Sequence, residues 1–486
     1  MAKKKLTILH SNDMHGDFQP KMQDGIETGG LPRLSGYVKQ ARQTEDGVVY
    51  AIAGDMFRGS IIDSEYLGLS TIDLVNLMRP DVTTVGNHEI DYGIAHLLFL
   101  EKCASFPIIN ANLFVTINNS RLFIPYLNVE VNGVRILFIG ILTEEVLAAT
   151  KLEKVIGTFI NVEAAAREVG IICDNYRTKD TDLTILLTHI GIEEDRKLAA
   201  LLNPDWGVSF IIGGHSHTYM DEPEIVNGVP IVQAGTGTGI IGRFDIEYDT
   251  WFNRINRWSW QCVPINEETA PVDTVMTEML SSYQNETDAK YKRIVSHLAR
   301  TLTHPSRIEE TEIGNLYADM LQDESSFDIM MMGSGALRKK EFGPIIEYQD
   351  MLENTPFDDT LWMLKVTGEQ FRRMITYIMR DDAWAGHTEF YQYSKGVRIV
   401  WRKSTHTLEE LSFRGKEVKD SDTFLIAMQN YHYKNFTEFM GVPIEEVAAN
   451  MKPRVVATSV NNIVEEYLST HPGLDAHVEG RITILD

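Results

Sequence analysis

The sequence predicts a layered α/β protein in which one mixed domain is followed by a second. Three observations predict it. Short apolar runs alternate with helical patterns through the first half of the chain. Five polar clusters each stand directly after one of those runs. Near Ile265 the pattern changes to a polar, helix-favouring stretch and then to a second mixed region. At 486 residues the chain is too long for one ordinary core, so two or three domains are expected.

The strand-like runs come first. Leu6–Leu9, Val48–Ala53, Val82–Val85, Ile108–Ala111, Leu183–Leu187 and Val208–Ile212 are short, apolar and bounded by polar turn residues, the pattern of buried strands. Helical periodicity marks Gly30–Thr44, Thr71–Met78 and Val162–Tyr176 between them. The dipeptide Asn132-Gly133 separates two strand-like runs and signals a hairpin. Strands with intervening helices make a layered α/β domain over residues 1–265. Residues 266–300 are rich in Glu, Thr, Lys and Tyr and read as a connecting helix, with the second domain spanning 301–486.

Composition narrows the class. Hydrophobic residues are 43% and charged residues 23%, ordinary for a soluble globular chain. The formal charge of −24 repels nucleic-acid polymers, and no basic stripe offsets it. It also repels small phosphate esters unless bound cations reverse the field locally. Three widely spaced cysteines, Cys103, Cys173 and Cys262, fit free thiols in a reducing compartment. The N-terminus lacks a signal-peptide pattern, and no apolar run approaches the roughly 20 residues that span a bilayer. These features suggest a cytoplasmic protein without a membrane partner. They leave its oligomeric state open.

The polar clusters carry the chemistry. They are Ser11-Asn12-Asp13-Met14-His15-Gly16, Gly54-Asp55-Met56-Phe57-Arg58-Gly59, Gly86-Asn87-His88-Glu89-Ile90-Asp91, Thr188-His189-Ile190-Gly191 and Gly213-Gly214-His215-Ser216-His217-Thr218. Ligands in open α/β sheets bind outside the carboxyl ends of the strands, so five clusters placed there can converge. Together they offer carboxylates, imidazoles and a carboxamide. Mixed nitrogen and oxygen donors suit Zn²⁺, Mn²⁺, Fe or Co²⁺ better than Ca²⁺. Asp91 follows His88 by three residues, so on a helical turn it can orient the imidazole and favour its charged form. Arg58 is placed either to contact an anion or to form a surface ion pair.

In this order the five motifs resemble the calcineurin-like metallophosphoesterase superfamily. The continuing chain is similar to the 5′-nucleotidase family, which adds a C-terminal substrate-binding domain. Ile313-Gly314-Asn315-Leu316-Tyr317-Ala318-Asp319, Gly333-Ser334-Gly335-Ala336-Leu337-Arg338, Pro356-Phe357-Asp358-Asp359-Thr360 and Val366-Thr367-Gly368 follow its pattern. The resemblance implies a four-layer αββα sandwich and two divalent cations. Asp13, His15 and His217 would hold the first cation and Asn87, His189 and His215 the second, with Asp55 bridging them ~3.5–4 Å apart. A shared water of lowered pKa would attack phosphorus as dimetal-bound hydroxide, with His88 and Asp91 assisting the transition state or the leaving group. Substrate would meet Arg338 and the glycine loop at Gly333 and Gly335. Aromatic residues at Phe357, Trp362, Tyr431, Tyr433 and Phe436 could stack on a base, with Phe436 the best single candidate. Two departures stand out: Gly333 replaces the family's asparagine, and Gly-Gly-Asp-Gly is missing before the second aromatic segment.

The expected activity is metal-dependent hydrolysis of nucleotide phosphate esters, a 5′-nucleotidase-like step in nucleotide catabolism. The alternatives are 2′,3′-cyclic nucleotide phosphodiesterase and nucleotide-sugar pyrophosphatase, with a nuclease, a metal-dependent binding protein or a hydrolase of sulfur-linked groups more remote.

Overall fold

The structure is a computed structural model that describes residues 3–23, 25–115, 118–143, 158–159, 161–177, 181–323, 326–380 and 390–486. It divides into two compact units, residues 1–287 and 288–486.

The first unit holds two six-stranded sheets. The first contains β1 (Lys3–Ser11), β2 (Val48–Ala53), β3 (Val82–Thr84) and β4 (Ile108–Ile109), which run parallel. The second contains β5 (Tyr126–Val131), β6 (Val134–Leu142), β7 (Leu183–His189), β8 (Val208–Ile212), β9 (Glu224–Val226) and β10 (Val229–Val232). In it β6, β7, β8 and β10 are parallel, with antiparallel β5 and β9 at the edges. The long hairpin of β11 (Ile240–Asp249) and β12 (Arg254–Pro264) completes the first sheet by antiparallel pairing of β11 with β1. The strand orders are β12-β11-β1-β2-β3-β4 and β9-β10-β8-β7-β6-β5. Asn132 and Gly133 both have positive φ, 49° and 72°, and close the β5–β6 hairpin at the place the sequence marks.

Alternation along each strand builds the layers. Ile8, Val49 and Ala51 face Ile136, Phe138, Ile185 and Phe210 in a core between the sheets. Their neighbours Leu9, Tyr50 and Ile52 point the other way, against α1 (Leu31–Thr44), α2 (Leu69–Met78) and α3 (Ile94–Cys103). Leu137, Ile139 and Leu186 likewise point outward, against α4 (Val162–Tyr176) and α5 (Ile192–Leu201). Side chains alternate faces at every residue, so strands covered on both sides must be apolar throughout. The result is helices, sheet, sheet, helices: four layers.

Within residues 266–300 the helix occupies only α6 (Thr274–Tyr291), and a strand, Ile294–His297, follows it. The division between the units falls inside that helix. Among the described residues no helix is long and apolar enough to cross a membrane.

The second unit has a five-stranded and a four-stranded sheet. The first contains β13 (Ile329–Gly333), β14 (Leu361–Thr367) and β15 (Tyr391–Tyr393). The second contains β16 (Val397–Arg402), β17 (Thr407–Phe413) and β18 (Lys416–Glu417). The chain then adds β19 (Thr423–Gln429), β20 (Arg454–Ala457) and β21 (Ile482–Leu485). The orders are β15-β13-β19-β14-β20 and β18-β17-β16-β21. Met330 and Met332 pack toward α7 (Glu312–Asp323) and α9 (Val460–Thr470). Ile329 and Met331 pack toward α8 (Gly368–Ile378) and the smaller sheet.

Candidate metal centre

Every motif residue of the first unit sits at the carboxyl end of a parallel strand. Asp13 and His15 follow β1, Asp55 follows β2, and Asn87 and His88 follow β3. His189 closes β7, while His215 and His217 follow β8. The backbone there is bent out of ordinary conformations. Asp13, His15, Asp55, His215 and His217 have φ of 51°, 48°, 53°, 82° and 52°. Such a conformation costs an L-residue on the order of 1–2 kcal/mol and persists only where the surroundings impose it. Here it turns side chains that would continue along a strand toward a common point.

The donor atoms meet there. His15 Nε2 lies 2.9 Å from His217 Nε2, and Asp13 Oδ1 is 3.4 Å from that same atom. Asn87 Oδ1 stands 2.7 Å from His215 Nδ1 and 3.1 Å from His189 Nε2. Asp55 Oδ2 is 3.1 Å from His189 Nε2 and 3.8 Å from His15 Nε2, so it reaches both groups. Asp13, His15 and His217 form one cluster able to hold a cation and Asp55, His189 and His215 another. His15, Asp55 and His88 form a third overlapping one. Asp13, Asp55 and His189 are almost fully buried.

The donor set fits divalent cations. Two imidazole nitrogens 2.9 Å apart need a proton or a cation between them. His189 Nδ1 lies 2.7 Å from the Ala53 carbonyl, an acceptor only, so Nδ1 carries the hydrogen and neutral His189 presents its Nε2 lone pair to the site. Without cations a proton takes their place. Burial alone would lower His189, but Asp55 beside it raises it to about 9. Burial alone would raise Asp55, but His189 and the His88 N–H hold it near 2.

Residues to which the sequence reading gave no role brace these ligands. Glu89, fully buried, accepts the backbone N–H groups of Asp55 (2.9 Å), Met56 (2.6 Å) and Gly86 (2.6 Å), and so ties the second loop to the third. Burial, then the Asp55 charge, pushes it up to about 7. Asn12 donates to Asp13 Oδ2 at 2.7 Å. Asp195 accepts from Thr188 at 2.6 Å and from Gln233, which also donates to the Gly214 carbonyl, linking the fourth and fifth loops. Glu89 and Asn12 stand inside the motifs and could have been found as buried polar neighbours of ligands. Asp195 and Gln233 carry no local signal.

His88 Nδ1 is 2.7 Å from Asp91 Oδ2. The two lie on a 3₁₀ turn, His88–Ile90 with Asp91 as its cap, in which residues three apart eclipse one another. The Asp91 hydrogen bond raises the His88 pKa above its usual value. Arg58 Nε binds the same Asp91 oxygen at 3.0 Å and its guanidinium lies 4.9 Å over the Tyr92 ring. Of the two readings of Arg58, the structure shows the ion pair.

The second unit has its own cavity of about 680 Å³, lined among others by Gly335, Arg338, Phe357 and Tyr431. Phe357 and Tyr431 are 55% and 58% exposed, and the Arg338 guanidinium sits 5.3 Å over the Phe357 ring. Phe436 corrects the sequence reading: it is 1% exposed within the core beside Met440 and Val442, where no ligand can stack on it. Its position on the turn after Asn435 aims it inward, and a fully apolar ring gains most by burial. Trp362 and Tyr433 stack on each other at 4.0 Å and do not line the cavity. Gly333 is buried at the end of β13 and does not line the cavity. Arg307, which the sequence reading passed over, does. It precedes α7 and is exposed, and only the fold brings it near Arg338.

Comparison with known proteins agrees with this layout. Residues 6–219 match the family described as calcineurin-like phosphoesterase, and residues 290–442 match the 5′-nucleotidase C-terminal domain. The chain is 25% identical over 443 residues to the snake venom 5′-nucleotidase of Naja atra, covering 82% of each. It is 26% identical to a 5′-nucleotidase of Vibrio cholerae serotype O1, covering 88% of this chain and 84% of that one. A 5′-nucleotidase precursor from Thermus thermophilus shares the fold with a TM-score of 0.60 at 22% identity, over 99% of this chain and 100% of that one.

Proposed function

The chain belongs to the calcineurin-like phosphoesterases that carry a 5′-nucleotidase C-terminal domain, and from that premise we propose that it hydrolyses phosphate esters of nucleotides with the aid of two divalent cations of the Mn, Zn, Co or Fe class. Divalent cations are the cofactor of calcineurin-like phosphoesterases. One observation carries the proposal: two groups of three donors, with Asp55 in reach of both, at the strand ends of one four-layer unit.

Asp13, His15 and His217 would hold one cation, Asn87, His189 and His215 the other, and Asp55 would bridge. When bound, such a pair supplies an activated water and neutralises charge on the phosphoryl oxygens. His88 does the rest of the polar work. Its Nδ1 proton is held by Asp91, so Nε2 is free to donate to the leaving-group oxygen or to a phosphoryl oxygen. Arg58 keeps Asp91 in place from the other side. In the second unit Arg307 and Arg338 offer guanidinium groups to an anion, and Phe357 and Tyr431 offer ring faces to a base. The net charge of −24 disfavours a polymer substrate and makes the cations the local source of positive field.

The test is phosphate release by metal-stripped protein reloaded with Mn²⁺, Zn²⁺, Co²⁺ or Mg²⁺. The substrates are nucleoside monophosphates, 2′,3′-cyclic monophosphates, dinucleotides and nucleotide sugars. Metal-dependent turnover of one class is the expected result. Two bound metals with no turnover of any class would remove the proposal.

A further inference from the structure

Asp63 is a buried carboxylate to which neither the sequence motifs nor the metal centre gives a role. It is 0% exposed and stands in the short helix Ile61–Glu65, just after the second motif. Its Oδ2 accepts the backbone N–H of Arg58 and the hydroxyl of Tyr92, both at 2.8 Å, and its Oδ1 accepts from Thr71. A carboxylate taken out of water needs donors around it, and these come from three separate segments. The first of these bonds bears on the Arg58 backbone. Arg58 has φ of 66°, a left-handed conformation that costs an L-residue on the order of 1–2 kcal/mol and persists only where its surroundings hold it. From that turn the Arg58 side chain crosses Tyr92, with its guanidinium 4.9 Å over the ring and Nε 3.0 Å from Asp91 Oδ2. The contacts close a ring. They run from Asp63 through the Arg58 backbone and side chain to the Tyr92 ring, and from the Tyr92 hydroxyl back to the same Asp63 oxygen. Asp91 directly precedes Tyr92, so the ring grips it twice, through the chain and through its carboxylate. His88 Nδ1 meets that same carboxylate oxygen at 2.7 Å.

We propose that Asp63 and Tyr92 are positioning residues for proton delivery. They hold the Arg58–Asp91 pair, and through it His88, in the orientation that aims Nε2 at the leaving-group oxygen. The proposal rests on the phosphoesterase reading above and deepens it. In the step concerned, the oxygen of a water-derived hydroxide forms a bond to phosphorus and the ester P–O bond breaks. Its electron pair stays on the leaving oxygen, which takes the Nε2 proton of His88. The alcohol departs neutral, and His88 recovers a proton from solvent. A proton placed in this way matters most for an alkoxide and least for a leaving group that is stable as an anion. Alignment is what the closed ring supplies. A carboxylate free to turn leaves the imidazole free to turn, and a misplacement of about 1 Å can cost ~10²-fold in rate.

The experiment compares wild type, Tyr92→Phe, Asp63→Ala and His88→Asn, with the first two changes also made on the His88→Asn background, all loaded with Mn²⁺. Turnover is measured on the nucleotide of the panel above that wild type hydrolyses fastest and on 4-nitrophenyl phosphate, whose leaving group departs without a proton. Metal content is read by elemental analysis. Tyr92→Phe and Asp63→Ala are expected to keep the wild-type metal content and to lower kcat on the nucleotide about tenfold or more, but less than about twofold on 4-nitrophenyl phosphate. On the His88→Asn background the same changes are expected to cost less than about twofold further, because groups that act through one residue do not add. Equal losses on both esters, or an undiminished loss on the His88→Asn background, overturn the proposal and leave the phosphoesterase reading in place. Tyr92→Phe removes one hydroxyl from a partly exposed side chain and keeps the ring under Arg58, so it decides the matter even where Asp63→Ala does not fold. Wild-type kcat on the nucleotide in Tyr92→Phe overturns the proposal as well. A wild type that hydrolyses nothing in the panel removes the phosphoesterase reading, and this proposal with it.

Discussion

At the residue scale, the chemistry divides between ligands and the groups that aim them. His88 touches neither sheet core and is half-exposed, yet its Nδ1 is fixed by Asp91 and its backbone N–H binds Asp55 Oδ1 at 2.9 Å. Replacing it by asparagine removes a proton donor and leaves the seven proposed ligands in place. For His88→Asn we expect metal content by elemental analysis to stay at the wild-type value while kcat falls ~10²–10⁴-fold. Glu89 acts differently. Its carboxylate takes three backbone N–H groups from two loops, and a carboxamide there sets its own NH₂ against one of them. For Glu89→Gln, metal affinity by competition with a chelator should fall roughly 10–100-fold, the usual effect of losing a group that orients ligands. Unchanged affinity would show that the two loops hold without it.

At the element scale, the site depends on loops that leave their strands in close contact. Gly54 has φ of +78°, and a Cβ on it would lie 2.6 Å from His189 Nδ1 and 2.9 Å from the Gly86 backbone. Those atoms belong to a proposed ligand and to the loop that carries another, so neither can give way freely. Gly54→Ala is therefore expected to lower the thermal midpoint of the metal-free protein and to abolish binding of at least one cation, read by calorimetry with Mn²⁺. The same contacts explain what the sequence could show of each element. Val48–Ala53 and Val208–Ile212 were legible to the residue, because strands buried on both faces must be apolar throughout. The stretch after Asn430 misled the reading of Phe436. A short helical segment sends successive side chains around its axis, and the sequence does not say which one meets the core.

At the scale of the whole molecule, three buried histidines away from the metal centre each contribute a pH dependence of the same sign. Burial lowers His10 to about 3, and it lowers His304 and His432 to about 4. Each stays neutral when folded, while the unfolded chain takes up a proton near pH 6.5. The unfolded state therefore binds more protons below pH 6.5, and stability drains as the pH falls from there toward 4. For His432, which is almost fully buried and bonded to the Tyr391 hydroxyl at 2.9 Å, the loss is on the order of 3 kcal/mol. Glu89 and Asp195, both raised to about 7 by burial, act in the opposite direction over the same interval, so the histidine contribution is read as a difference: the thermal midpoint of the metal-free wild type should lose more between pH 6.5 and 4 than that of His432→Gln. Parallel slopes in the two proteins would show that His432 does not carry the effect.

The sequence by itself determined the layered α/β class, the strand runs, and the clusters of carboxylate, imidazole and carboxamide donors. Those features are local: an apolar run and the polar residues just beyond it are consecutive in the chain. Only the tertiary structure decided which donors pair across loops, that Glu89, Asp195 and Gln233 brace them, that Arg307 joins Arg338 at one cavity, and that Phe436 is core. These facts join residues far apart in sequence, such as Asp195 with Gln233 or Arg307 with Tyr431, through the packing of strands whose order in the sheets no local pattern specifies. The left-handed turns at Asp13, His15, Asp55, His215 and His217 belong to the same class. Strain of that kind is imposed by surrounding contacts, and so it is absent from the propensities of the residues that bear it.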